Sequence, residues 1–264
     1  MSRPRRHGYP SPTELEDRWR SQVAAAGGRE APAGRSVEGR PLWRFDLGCR
    51  DTGAPSVLLT GLIHGNEVVG SLALLEVVAR LHAAGDLARE PRRLIVMPIV
   101  NPDGFAATMD RLRHGLAVGR RRNANGVDLN RNFPPAFPDQ PARASPLAGS
   151  SWRHSPWFRG PHALSEPESR SVAEVAGDVR PTLALGFHSF GQLLLHPWAC
   201  RRAAHPRQDQ YRALGDAFVR GGPDARFQVR QAASWYRIVG NLDDWLDATF
   251  GTLAFTVEVS RLDR

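Results

Sequence analysis

An α/β fold, with a mixed, mainly parallel central sheet and helices on both faces, is what this sequence predicts. Three observations carry that prediction. Mostly apolar runs of strand length recur at 56–64, 94–100, 182–188 and 252–259, as buried strands require. Segments whose apolar residues follow helical spacing lie between them. Strand and helix therefore alternate along the chain, the order that parallel crossovers produce.

Residues 1–12, rich in Arg, Pro and Ser, read as a mobile N-terminal tail; no apolar run follows its basic residues, so it lacks the form of a secretory signal. A helix is expected over 13–26, capped by Thr13 with Glu14 and Glu16 in its first turn. Residues 42–48 alternate in polarity and fit a half-exposed edge strand, whereas Ser56 to His64 reads as a buried one. From Glu67 to His82 a helix carries Val68, Leu72, Leu75, Val78 and Ala79 at helical spacing. Leu94 to Val100 is the next buried strand, halted by the turn signal Asn101-Pro-Asp-Gly104. Residues 133–163, crowded with Pro, Ser, Gly and Trp, read as a long ordered loop, and loops of that length are often functional. A helix over 166–179, a strand over 182–188 and a pairing segment over 192–196 follow. Helices over 207–220 and 241–249 and a last strand over 252–259 complete the chain. No repeat of 20–50 residues is present, and 13–264 is expected to form one domain.

The net charge is +8, and all 35 basic residues are arginine. They are scattered, apart from short clusters at Arg120–Arg122 and Arg201–Arg202, where a nucleic-acid footprint would need a concentrated stripe. Acidic peptides or other carboxylate-bearing substrates suit this charge better than nucleic acid. No run approaches the roughly 18 apolar residues of a membrane span. Two cysteines, Cys49 and Cys200, are too few for a disulfide framework and read as reduced thiols, with the cytoplasm as the expected compartment.

Chemistry enters at His64-Gly-Asn-Glu67, where a buried strand gives way to a helix. That carboxyl edge of an open α/β sheet is where ligands bind, and the three-residue step can bring an imidazole and a carboxylate onto one ion. Alone the motif is weak. His188, in Gly186-Phe-His-Ser-Phe190, also ends an apolar strand and completes a His₂Glu set, which leaves a fourth zinc position open. Glu258, in Phe255-Thr-Val-Glu-Val259, is a carboxylate within an apolar strand, costly unless paired or functional. Facing the crevice, it is placed to act as a general base for water.

With these residues assembled, the chain resembles the zinc metallocarboxypeptidases of the carboxypeptidase A and B type and their bacterial relatives, the murein peptide amidases. The likeness runs from about Gly34 to Ser260 through Gly34-Arg-Ser-Val-Glu-Gly-Arg-Pro41, Asn101-Pro-Asp-Gly-Phe105, the stretch from Asn123 to Pro134, Ser165-Glu-Pro-Glu168, Phe187-His-Ser-Phe190 and Gln192-Leu-Leu-Leu-His-Pro197. It implies one zinc ion held by His64, Glu67 and His188, and a peptide substrate with a free C-terminal carboxylate. By the same likeness, Glu258 is the catalytic glutamate that takes a proton from the attacking water and passes it to the leaving amine. Arg121 corresponds to the arginine that stabilises the oxyanion, because relatives carry Arg-x-Asn before this stretch; Arg120 and Arg122 stay open as alternatives. Asn130 and Arg131 correspond to the pair gripping the terminal carboxylate, where the planar fork of Arg suits both oxygens. Tyr236 resembles a mobile tyrosine that closes over substrate.

Asp243 falls where B-type enzymes place an acid for C-terminal Lys or Arg, and it equally fits the distal amine of diaminopimelate; capping the nearby helix is the other reading of this residue. The chain departs from the family in stopping six residues after Glu258, in carrying no pro-segment, and in having Phe190 where a second tyrosine is usual. The short C-terminus leaves a sheet face to be covered by the N-terminal helix or by another chain. A zinc deacylase of the aspartoacylase or succinylglutamate desuccinylase type shares the His-x-x-Glu and later His pattern, and a non-catalytic peptide-binding module is a third reading.

Overall fold

A computed structural model describes residues 8–117, 119–137, 146–222 and 227–261. In chain order the elements are α1 (Pro12–Ala25), β1 (Arg29–Arg35), β2 (Pro41–Gly48), β3 (Ser56–Gly61), α2 (Val68–Ala83), α3 (Asp86–Arg89), β4 (Arg93–Met97), α4 (Pro102–Arg113), α5 (Pro167–Val179), β5 (Leu183–His188), β6 (Leu193–His196), α6 (Gln208–Gly221), β7 (Gln228–Gln231), α7 (Leu242–Phe250) and β8 (Leu253–Glu258). All eight strands join one sheet in the order β1-β2-β4-β3-β5-β8-β6-β7. The central strands β4, β3, β5 and β8 are mutually parallel. The flanks are mixed: β1 on β2, β2 on β4 and β6 on β8 are antiparallel, while β7 runs parallel to β6.

Side chains alternate across the pleat, so each strand feeds two cores. Val57, Leu59, Leu94, Val96, Phe255 and Val257 face Leu15, Trp19 and Val23 of α1, Leu74 and Val78 of α2, and Tyr211 of α6. Leu58, Ile95, Met97, Ala184 and Ala254 face Val172, Val175 and Val179 of α5 and Leu242, Trp245 and Leu246 of α7. Each such Leu or Val contributes about 1.5–3 kcal/mol by leaving water. Helices therefore cover both faces, and α1 helps to close the first, with Trp19 stacked 6.1 Å from Phe45 of β2.

Several boundaries differ from the sequence expectation. The first helix begins at Pro12 and is capped by Ser11, not Thr13. The Ser11 hydroxyl accepts the Glu14 N–H at 3.2 Å, and the Glu14 carboxylate accepts the Ser11 N–H at 2.6 Å, a complete capping box. The expected tail over 1–12 is accordingly shorter: residues 1–7 lie outside the described residues, and Pro10 is already buried.

The turn signal at 101–104 is the start of a helix, α4, because the Asn101 side chain accepts the Gly104 N–H at 2.8 Å and Pro102 suits the first turn. β2 is not an edge strand, since β1 pairs outside it; the polar, mostly exposed sequence of β1 carries no hydrophobic signal. Segment 192–196 pairs with β8 and β7 rather than with β5. The loop over 133–163 is long as expected, with residues 138–145 outside the described set.

Candidate metal centre

The carboxyl ends of β3, β5 and β8 lie side by side, and each delivers one functional side chain. After β3 the buried Leu62 takes a φ of 50°, a left-handed turn that costs an ordinary residue about 1–3 kcal/mol. Backbone bonds from Val100 to Gly61 and from Asn101 to Leu62 hold it there. At Gly65 an added Cβ would sit 2.2 Å from the carbonyl carbon of Gly104, so only glycine lets this loop pass so close to α4. The Asn101 amide donates to both Ile63 and Arg121 carbonyls, at 3.3 and 3.2 Å, tying the His64 loop to the arginine loop. Glu67 occupies the cap position of α2, where the helix dipole favours a carboxylate. His188 ends β5, and its register partner is Glu258, the last residue of β8.

His64, Glu67 and His188, all buried, each turn one ligand atom inward, and these atoms lie within 4.8 Å of one another. The Glu67 oxygens are 2.8 Å from Nδ1 of His64 and 2.8 Å from Nδ1 of His188, and the two Nδ1 atoms are 3.2 Å apart. Two imidazole lone pairs and a carboxylate converging in this way is a donor set that fits one zinc ion, with room left for further ligands. The second nitrogen of His64 meets the Asp128 carboxylate at 3.2 Å, fixing the ring with Nδ1 inward.

Burial raises the pKa of Glu67, but attraction to His64 and His188 outweighs it and holds the group well below the usual carboxylate range. Burial lowers the pKa of His188 against the pull of Glu67, towards the neutral form that binds metal. Asp128 is also pushed up by burial, yet Arg121, Arg131 and His64 together hold it far down, so it stays ionised.

Of three adjacent arginines, one reaches the cluster. Arg121 donates from Nε to Asp128 at 3.0 Å and from Nη1 to Glu67 at 3.2 Å, and its side chain remains 27% exposed towards the crevice. Burial opposes its charge, but Asp128 and then Glu67 stabilise it, and the Tyr236 side chain lies within electrostatic reach. Arg120 and Arg122 turn away to backbone carbonyls, Arg120 to Asn123 and Ala124 and Arg122 to Gly126 and Ser155.

The remaining expected residues surround this core. The Asn130 N–H donates to Asp128 at 3.1 Å, and its side-chain oxygen accepts the Leu242 N–H at 3.0 Å, joining the site to α7. Arg131 is buried 3.9 Å from Asp128, with Nε and Nη2 on the Leu147 carbonyl and Nη1 on that of Asn130. Tyr236 is half-buried, its ring edge-on to Trp235 at 4.8 Å. Asp243 is buried in the first turn of α7 and does not cap it; the cap position is Asn241, and the Asp243 carboxylate accepts the Thr256 hydroxyl instead. Thr256 precedes Glu258 by two residues and so shares its side of β8. Burial pushes Asp243 up to about 7.

Asp128 was missed by sequence reasoning. It sits inside the quoted stretch from Asn123 to Pro134, but nothing local to it shows that it reaches His64 and Arg121.

The zinc carboxypeptidase family profile matches residues 29–264. Carboxypeptidase SOL1 of Arabidopsis thaliana is 27% identical over 248 residues, covering 86% of this chain; the chain spans 45% of that relative's length. The crystal structure of carboxypeptidase A from Helicoverpa armigera superposes with a TM-score of 0.79 at 23% identity, over 96% of this chain and 64% of that one. Murein-tripeptide amidase MpaA from Escherichia coli O157 gives 0.54 at 24% identity, over 92% and 88%. These structural likenesses are likenesses of fold.

Proposed function

Because the chain belongs to the zinc carboxypeptidase family, we propose that it hydrolyses the last amide bond of a peptide bearing a free C-terminal carboxylate. The observation that carries this reading is the convergence of His64, Glu67 and His188 within 4.8 Å, with Glu258 on the neighbouring strand beside His188. Bound there, zinc supplies Lewis-acid polarisation of the scissile carbonyl and of the attacking water. Glu258 takes the proton from that water and delivers it to the leaving amine. Arg121, held between Glu67 and Asp128, donates to the developing oxyanion. Asn130 and Arg131 hold the terminal carboxylate, and Tyr236 closes over it.

The side chain of the released residue reaches Asp243. A buried acid there favours a cationic end, and the fold likeness to a murein-tripeptide amidase supports diaminopimelate beside Arg and Lys. The family match over 29–264 favours this reading over an aspartoacylase-type deacylase, and the retained His64, Glu67, His188 and Glu258 favour it over a non-catalytic module. The catalytic unit is a single domain over 13–264. Cys49 and Cys200 are not joined in a disulfide, which favours a reducing, cytoplasmic setting. Among the described residues no helix is long and apolar enough to cross a membrane.

The test is release of free amino acid from N-blocked dipeptides ending in Arg, Phe or diaminopimelate. Glu258→Gln is expected to lower kcat about 10²–10⁴-fold while metal content is retained. An undiminished rate refutes the assigned base.

A further inference from the structure

A cavity of about 500 Å³ adjoins the metal centre and is lined by Asn66, Arg111, Gly119, Arg120, Arg121, Arg122 and Pro156. Four of these seven residues are arginine, and among the described residues lining it none is acidic. Arg121 has its charge met by Glu67 and Asp128. Arg120 and Arg122 donate to backbone carbonyls and form no ion pair among the described residues, so their charge is not offset locally. Arginines whose hydrogen bonds end on neutral carbonyls still project a positive field into a recess with low-dielectric walls, where it attracts an anion.

The cavity is built into the fold. At Gly119 an added Cβ would lie 2.6 Å from Cβ of Asn66 and 2.9 Å from Cγ2 of Thr108, so glycine there lets the arginine loop close against the start of α2. The side-chain oxygen of Asn66 is buried in that wall with no hydrogen bond among the described residues.

Arg121 is the only assigned site residue in the lining; Asn130, Arg131, Tyr236 and Asp243 are not part of it. The cavity therefore shares the oxyanion arginine with the site and none of the residues assigned to the carboxylate grip. Resting on the carboxypeptidase reading, we propose that this pocket binds a substrate carboxylate within the two residues preceding the scissile bond, making the enzyme selective for acidic peptides.

The experiment compares acetylated tripeptides ending in Arg that carry Glu or Gln at either upstream position, using the metal-loaded protein. Glu is expected to raise kcat/KM about tenfold, the scale of one charge-assisted hydrogen bond, and 0.5 M NaCl should erode the advantage. Calorimetric titration with the upstream products, acetyl-Ala-Glu against acetyl-Ala-Gln, gives a readout independent of turnover, with about tenfold tighter binding expected for Glu. In Arg111→Gln and Arg120→Gln the Glu/Gln ratio should fall towards one.

Equal hydrolysis and equal binding of the Glu and Gln series would overturn the pocket and leave the peptidase reading intact. Tighter binding of acetyl-Ala-Glu without hydrolysis of any peptide would keep the pocket and overturn the reaction. A phosphoserine peptide preferred over the Glu peptide would overturn the carboxylate assignment.

Discussion

The two ends of β8 each carry a buried histidine–aspartate contact, and they behave as opposites. Near the carboxyl end His64 meets Asp128 at 3.2 Å; near the amino end His205 meets Asp247 at 3.1 Å. In the second cluster donors face acceptors around Asp247 and at Nδ1 of His205. Asp247 accepts from Arg207 at 2.7 Å and from the Tyr211 hydroxyl, and Nδ1 of His205 accepts the Arg207 N–H at 2.9 Å. The Tyr211 hydroxyl also receives the Ala254 N–H at 3.2 Å, so the group pins α6, α7 and β8 together.

In the first cluster three groups that can each offer a lone pair to a cation converge: two ring nitrogens 3.2 Å apart and a carboxylate oxygen pair between them. That arrangement gains little without a cation to share, whereas the other gains nothing from one. Residue type does not separate a metal centre from a structural fastening; the balance of lone pairs and hydrogens does.

The comparison can be broken most decisively at Glu67. Glu67→Gln should weaken zinc binding by more than about 100-fold, seen as loss of metal by elemental analysis after dialysis, with peptidase activity lost in proportion. Retention of stoichiometric metal would remove the cluster from its role. Asp128→Asn should follow at about 10–100-fold in metal affinity, because the His64 ring loses the acceptor that fixes its orientation. Competition with a chromogenic chelator measures both.

Asp247→Asn is expected to do the reverse. Removing a buried partner of Arg207 and His205 should cost about 3–5 kcal/mol in denaturant unfolding, with metal stoichiometry untouched. A loss of metal there would erase the distinction between the two ends.

The smallest effect concerns pH. Burial raises Asp243 to about 7 and Asp244 to about 6, above their unfolded values near 4. The folded state therefore holds more protons than the unfolded one between about pH 4 and 7, and stability falls as pH rises through that window. Asp243→Asn should flatten this part of the melting curve against pH, by about 2–4 °C per kcal/mol recovered. A wild-type profile with no decline over that range would show that Asp243 titrates normally.

Much of this site was legible in the chain. His64, Glu67, His188 and Glu258 each sit where an apolar strand stops or a helix starts, and strand ends can be recognised from a dozen local residues. β1 and β7 were not legible, because the polar stretches Arg29–Arg35 and Gln228–Gln231 become strands only by pairing at the sheet's two margins. The turn at Asn101 was read as an ending because Pro and Gly mark helix starts as well as loops.

By itself, then, the sequence determined the ligand types, their order and the buried strands that carry them, since hydrophobic periodicity and motif spacing are local properties. Tertiary structure alone decided which of Arg120, Arg121 and Arg122 faces the crevice, that Asp128 orients His64, and that Asp243 meets Thr256 rather than capping α7. Those outcomes depend on where a side chain lands relative to residues from 7 to 64 positions away in the chain, and only the closed sheet with its packed loops sets that distance.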